Sequence, residues 1–165
     1  MSLIRPAEFL NDSEGIWEIF SKVIQTSDTY VFEPCTPRDK LKEYWFAPYM
    51  DSFVAINEKG EILATYIIKP NQIGLGNHIA NCGYMVHPNH QRKGLGKLLC
   101  EHSISFAREK GYTGIQFNCV VSTNLPAVHL WKKFDFSIIG VTPKGFRHPE
   151  KGLVDTYIMF KSLEE

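Results

Sequence analysis

Apolar and polar positions follow two different periods along this chain, and the switches between them mark the elements. SLIRPAE at the start reads as a short strand cut by Pro6. From Asp12 the period lengthens, and Ile16, Ile19, Phe20, Val23 and Ile24 fall on one helical face. Asn11, Asp12 or Ser13 is placed to cap that helix, and the pattern decays in QTSDTY. After a loop, VFEPC, the run Thr36-Pro37-Arg38-Asp39 supplies a cap, a first-turn proline and an early acid. A second helix is therefore predicted to about Phe46, stopping before Pro48. DSFVAINEKGEILATYIIKPN predicts a hairpin turning around Gly60. HIANCGYMVH is the next strand, and Gly83 inside it predicts a bulge or a close backbone approach.

A helix follows from Gly94 to about Lys110, ended by Gly111. GIQFNCVV is a strand, Asn124 to Phe134 a short helix, and FSIIGV and LVDTYIMFK the closing strands. The glycine-rich segment between those two, PKGFRHPEKG, is expected to be a mobile loop. The order predicts an α/β (α+β) fold, a mixed sheet with helices on both faces.

Composition narrows the functions. A length of 165 residues fits one domain, residues 1–165. Lys+Arg and Asp+Glu are each 18, so no basic face is implied and nucleic acid is not an expected partner. Cys35, Cys82, Cys100 and Cys119 form no Cys-x-x-Cys pair, so they read as reduced thiols rather than a zinc or disulfide framework. His87 and His90 lie in a loop without partners, and no metal is expected. No basic-then-apolar leader and no apolar run of membrane-spanning length is visible. The expectation is a cytoplasmic protein with no membrane partner.

The chemistry concentrates in YMVHPNHQRKGLGKLL, Tyr84 to Leu99. An apolar strand ends at His-Pro, and a helix begins after two glycines. The first amides of a helix lack partners, and its dipole adds positive charge there. Gly94 and Gly96 remove side-chain bulk, and Arg92 and Lys93 add mobile charge. The segment suits a phosphate or pyrophosphate. It is neither a P-loop nor the dinucleotide fingerprint, whose third glycine is Leu99 here.

Gln91-Arg92-Lys93-Gly94-Leu95-Gly96 resembles the Gln/Arg-x-x-Gly-x-Gly/Ala pyrophosphate loop of the GNAT superfamily of acyl-CoA-dependent N-acyltransferases. Val86-His87-Pro88 looks like the exit of that family's central strand. The run from Asn124 through Ala127, Leu130 and Trp131 to Phe136 is similar to the family's second motif, Asn-x-x-Ala-x-x-Leu-Tyr with a following Leu-Gly-Phe. The likeness spans nearly the whole chain. It implies a mostly antiparallel sheet, splayed at the cofactor site, and acetyl-CoA as acyl donor. It places the pyrophosphate on the amides of Arg92 to Gly96 and makes Gln91, Asn118 and Asn124 cofactor neighbours. Lys97 becomes an outside contact to a CoA phosphate. Main-chain groups of Met85 and Val86 are implied for the pantetheine arm, with an amide near them polarising the thioester carbonyl.

The resemblance also implies direct attack by a primary amine, without an acyl-enzyme. Trp131 holds the catalytic position of the family's proposed acid, a tyrosine, yet an indole N–H cannot release a proton near neutral pH. A thiol of pKa ~8.5 leaves tolerably without it. Many relatives carry a strand glutamate as base; Ala80-Asn81-Cys82 offers none. Glu33 is the expected substitute, Tyr30 and Phe32 line the expected acceptor pocket, and Tyr84 and Asn118 are candidates to orient a water. Asp135 replaces the motif's glycine, which suggests a different turn. The expected acceptor is a small molecule such as an amino acid or analogue. TYVFEPCTPRDKLKEYW is similar to the same region of amino-acid N-acetyltransferases, the phosphinothricin type included. The alternatives are a non-catalytic acyl-CoA sensor and a protein N-terminal acetyltransferase. Relatives often pair through late strands, so a homodimer is admitted.

Overall fold

In the structure, a computed structural model that describes residues 2–164, the strand-like runs join into one seven-stranded sheet. The strands are β1 (Leu3–Pro6), β2 (Asp51–Ile56), β3 (Ile62–Pro70), β4 (Ile79–Val86), β5 (Gly114–Val121), β6 (Ser137–His148) and β7 (Gly152–Ser162). They lie in the order β1-β2-β3-β4-β5-β7-β6, antiparallel throughout except for the pair β4–β5. Helices α1 (Phe9–Gln25) and α2 (Leu41–Trp45) cover one face, α3 (Leu95–Glu109) and α4 (Leu125–Lys133) the other.

Each face has its own core, because each helix buries one apolar stripe. Ile16, Ile19, Phe20, Ile24 and Trp45 pack with Val54, Ile67 and Met85 on the α1 side. Leu95, Leu99, Ile104 and Trp131 pack with Tyr66, Ile115 and Phe117 on the α3 side. The buried Trp45 indole donates to Thr65 Oγ1 at 2.9 Å, which pins α2 to β3.

Three local expectations change, and at Gly83 one of two alternatives drops out. Helix α1 begins three residues early, at Phe9, and Asp12 is no cap. Asp12 is buried, takes two bonds from Arg5 (2.8 and 2.7 Å) and one from the Glu8 amide (2.8 Å). The Arg5 guanidinium holds its carboxyl below the usual carboxylate range. Thr36 is also no cap: its hydroxyl donates back to the Glu33 carbonyl, and a 3₁₀ turn, Arg38–Lys40, precedes α2. Gly83 makes no bulge; the β3–β4 register runs unbroken past it. It permits a close approach instead, since a Cβ there would stand 3.3 Å from the Tyr30 hydroxyl.

PKGFRHPEKG is not a loop. It continues β6 to His148, and β7 resumes at Gly152. A register shift between Thr142 and Phe146 absorbs Pro143, Lys144 and Gly145 on this edge strand, where a missing N–H is tolerated. Phe146 and His148 are buried and anchor the outer half, and His148 Nδ1 accepts the turn amides of Glu150 and Lys151.

Candidate active site

Strands β4 and β5 pair only at Ile79–Gly114 and Ala80–Ile115, and beyond them the sheet forks. Side-chain amides tie the crotch of the fork. Asn81 Nδ2 donates to the Gln116 carbonyl at 2.9 Å, in place of a ladder bond. Asn71 Oδ1, in the β3–β4 connection, accepts from Asn118 at 2.7 Å and from Asn81 at 3.3 Å. A register shift between Phe117 and Val120 leaves Asn118 and Cys119 unpaired with β7 and turns them to the opening.

The fork aims main chain into the opening. His87 N–H bonds the Leu63 carbonyl at 2.9 Å, and bonded pairs of an antiparallel ladder recur every second residue. Met85 is therefore tied to Thr65, whereas Tyr84 and Val86 point their N–H and C=O away from β3. The Tyr30 hydroxyl confirms the direction by donating to the Tyr84 carbonyl at 2.8 Å. This corrects the expected use of the Met85 main chain: its backbone is consumed by the sheet and its side chain is 2% exposed under α1. Val86 keeps the free amide.

Trp131 fills the wedge of the fork. Its ring centroid is 4.9 Å from Tyr84 and 4.8 Å from Phe117. The Tyr84 hydroxyl meets Ser103 Oγ at 2.8 Å, so its tip is committed toward α3 rather than to a water in the opening. Asn124 lines the opening while its Oδ1 caps α4 on the Ala127 amide.

A cleft of about 460 Å³ opens from the fork toward α2. Tyr30, Phe32, Tyr44 and Tyr49 wall it. Phe32 stacks on Tyr44 at 4.7 Å and on Tyr30 at 5.9 Å. Burial pushes the Tyr30 hydroxyl well above its ordinary pKa, so it stays protonated and donating. Glu33 lies off this lining, exposed on the loop outside. The acid on the lining is Glu43, held by Lys40 at 2.8 Å. Cys119 is exposed at the cleft, and desolvation raises its thiol pKa. Lys69, Asn81, Glu43 and Tyr49 also line the cleft, and no sequence motif points to them. Lys69 left a signal, as a cation two residues beyond Ile67 on a strand face that otherwise carries Leu63, Thr65 and Ile67 and no charge.

Past Val86 the chain reaches the glycine loop. Arg92 and Gly94 take left-handed backbone, at φ 60 and 80°. Nothing lies within 4 Å of a Cβ built on Gly94, so its surface is open to a ligand. The amides of Leu95, Gly96 and Lys97 precede the first helical bond, Leu98 N–H to Gly94 C=O, and remain available. Gly96 has a different reason: a Cβ there would stand 3.2 Å from Leu130, so it sets how closely α3 and α4 approach. Gln91, Arg92 and Lys93 are exposed, Lys93 reaching the Asn89 carbonyl at 3.3 Å. Lys97 faces Glu101 at 3.6 Å.

A forked strand with free amides, beside an open helix start that suits a pyrophosphate, defines an acyl-CoA-dependent transferase. The acetyltransferase (GNAT) family model matches residues 17–136, and the chain belongs to that family. It is 33% identical over 144 residues to N-acetyltransferase aca1 of Schizosaccharomyces pombe, spanning 84% of this chain and 69% of that protein. It is similar to a GCN5-related N-acetyltransferase from Kribbella flavida, with 32% identity, TM-score 0.93, and 98% and 97% of the two chains covered. YncA of Salmonella typhimurium, solved with its cofactor acetyl-CoA, shares the fold at TM-score 0.86 and 22% identity, with 100% and 95% covered. The chain is thus an acetyl-CoA-dependent N-acetyltransferase.

Proposed function

We propose that the acceptor is the primary amine of a small molecule of amino-acid type. The observation that carries this is the aromatic cleft of about 460 Å³ opening directly beside the outward-facing main chain of β4. The stacked rings of Tyr30, Phe32 and Tyr44 wall and narrow it toward α2, which favours a small acceptor over an extended peptide.

Acetyl-CoA supplies an acetyl group already activated as a thioester. The free amides of Leu95 to Lys97 and the open surface of Gly94 suit its pyrophosphate, with Arg92 beside them. The Val86 amide donates to the thioester oxygen and stabilises the charge that builds there. Tyr30, its proton given to the Tyr84 carbonyl, keeps lone pairs to accept a hydrogen bond from the acceptor amine. Trp131 packs the wedge and moves no proton. The amine, of pKa ~10, loses its proton to water at the open mouth. Glu33 is given no part in that step.

The test is thiol release from acetyl-CoA across a panel of amines, with acetylated product identified by mass. Release with amino acids supports the reading; release only with N-terminal peptides overturns it. Because water takes the proton, the rate is expected to rise with pH toward the amine's own pKa, and Glu33→Gln should leave that profile unchanged. The exposed apolar side chains Ile139 and Val141 on the outer strand β6 support a homodimer, and sedimentation of the purified chain checks it.

A further inference from the structure

We propose that Lys69 is the anchor for a carboxylate on the acceptor, and that it makes this enzyme selective for amino acids over plain amines and polyamines. The inference rests on the acceptor reading above and sharpens it. Lys69 is half-buried near the end of β3 and is the one cation on the cleft lining among the described residues. Its ammonium lies over the Tyr49 ring, 5.8 Å from the centroid. No described carboxylate stands within ion-pair distance of it, whereas the acid of the lining, Glu43, already belongs to Lys40. The cleft therefore presents one uncompensated positive charge among aromatic and neutral polar walls. An anionic group relieves that imbalance, and a second ammonium aggravates it.

The neighbours fit an acceptor-only group such as a carboxylate. Asn81 is the cross-strand partner of Lys69, and Asn71 lies beside it. Asn71 Oδ1 already accepts from Asn81 and Asn118, so its Nδ2 is turned to donate elsewhere. The spacing fits as well. Asn81 and Tyr84 are three residues apart on β4, roughly 10 Å at ~3.3 Å per residue. The lysine arm together with the short span between the amine and carboxylate of an amino acid bridges that distance. The amine then meets the Tyr30 hydroxyl, and the acceptor side chain lies against Phe32, Tyr44 and Tyr49.

The experiment is steady-state kinetics with matched pairs, L-leucine with L-leucinamide and L-phenylalanine with L-phenylalaninamide, plus spermidine. Lys69→Met keeps the stem over Tyr49 and removes the charge; Lys69→Arg keeps the charge. A charged hydrogen bond is worth about 10- to 100-fold. Wild type is expected to favour each acid over its amide by that factor in kcat/KM expressed per unprotonated amine, since the amide's α-amine is the weaker base. Lys69→Met should raise KM for the acids by a similar factor while rates with the amides stay within about twofold, and Lys69→Arg should recover most of the loss. Amides or spermidine used as well as the acids per unprotonated amine, or a Lys69→Met loss equal for acids and amides, would overturn the proposal. So would neither turnover of any acid nor any acid-dependent stabilisation of the CoA-saturated protein. Thermal stabilisation by acetyl-CoA alone should be the same in all three proteins. Its absence from wild type would mark failure of the donor site, and turnover of N-terminal peptides alone would mark failure of the acceptor reading instead.

Discussion

At the residue scale, the two glycines of the loop have separable jobs. Gly94 has positive φ and empty space around it, so a side chain there meets the ligand rather than the protein. Gly94→Glu should leave the fold in place at a cost of about 1–2 kcal/mol for left-handed backbone, and should abolish acetyl-CoA binding through bulk and like charge. Circular dichroism together with calorimetric titration separates the two effects. Gly96→Val does the reverse, since its branched side chain runs into Leu130; thermal unfolding should show the loss before binding does. The motif reading found both glycines but gave them one reason. The second reason depends on α4, which sequence spacing cannot place. Asp135 carries a related lesson. It stands where the motif has a glycine and takes left-handed backbone, φ 62°, a conformation glycine adopts without strain. Asp135→Gly is expected to raise stability by up to about 1 kcal/mol, read as a higher Tm.

At the scale of elements, the fork between β4 and β5 is the feature that turns a sheet into a site. It needs Asn81 to satisfy the Gln116 carbonyl that a ladder would have satisfied, with Asn118 bonded to the Asn71 side chain beside it. Trp131 has to fill the wedge. Trp131→Ala should cost about 3–5 kcal/mol through cavity formation, whereas Trp131→Phe should keep a bell-free pH profile, because no proton passes through the indole. The first helix shows what pattern reading cannot see. Its apolar stripe was legible from Ile16 onward, but its start is fixed by Asp12 reaching Arg5 on β1, a contact seven residues away across a turn. The outer hairpin reads as a loop in sequence because of Pro143, Gly145 and Pro149; the buried Phe146 and His148 keep it a strand. The Arg5–Asp12 pair also carries a pH dependence. The folded carboxyl has a depressed pKa, so its stabilisation is full above the unfolded value and is lost as pH falls through the folded one. Asp12→Asn should flatten the stability curve in that acid window and lower stability at neutral pH by about 1–3 kcal/mol.

At the scale of the whole molecule, the order of elements and the two motifs were enough to foresee a mixed sheet, splayed at the cofactor site, and an acyl donor loop. The acceptor side was far less legible. Its wall comes from the loop after α1, from α2 and from the end of β3, segments distant in sequence that only the sheet brings together. That is why Glu33, adjacent to Tyr30 and Phe32 in sequence, stood out, while Glu43 and Lys69 did not. The central claim is that donor and acceptor meet at the fork, with the pyrophosphate held at the Gly94 turn. Thermal unfolding of wild type and of Gly94→Glu, each with acetyl-CoA near a hundred times the wild-type Kd, tests it most directly. Wild type should gain about 2.7 kcal/mol and the variant none. An equal gain in both proteins would mean that the donor binds elsewhere, and the assignment of the fork would fall with it.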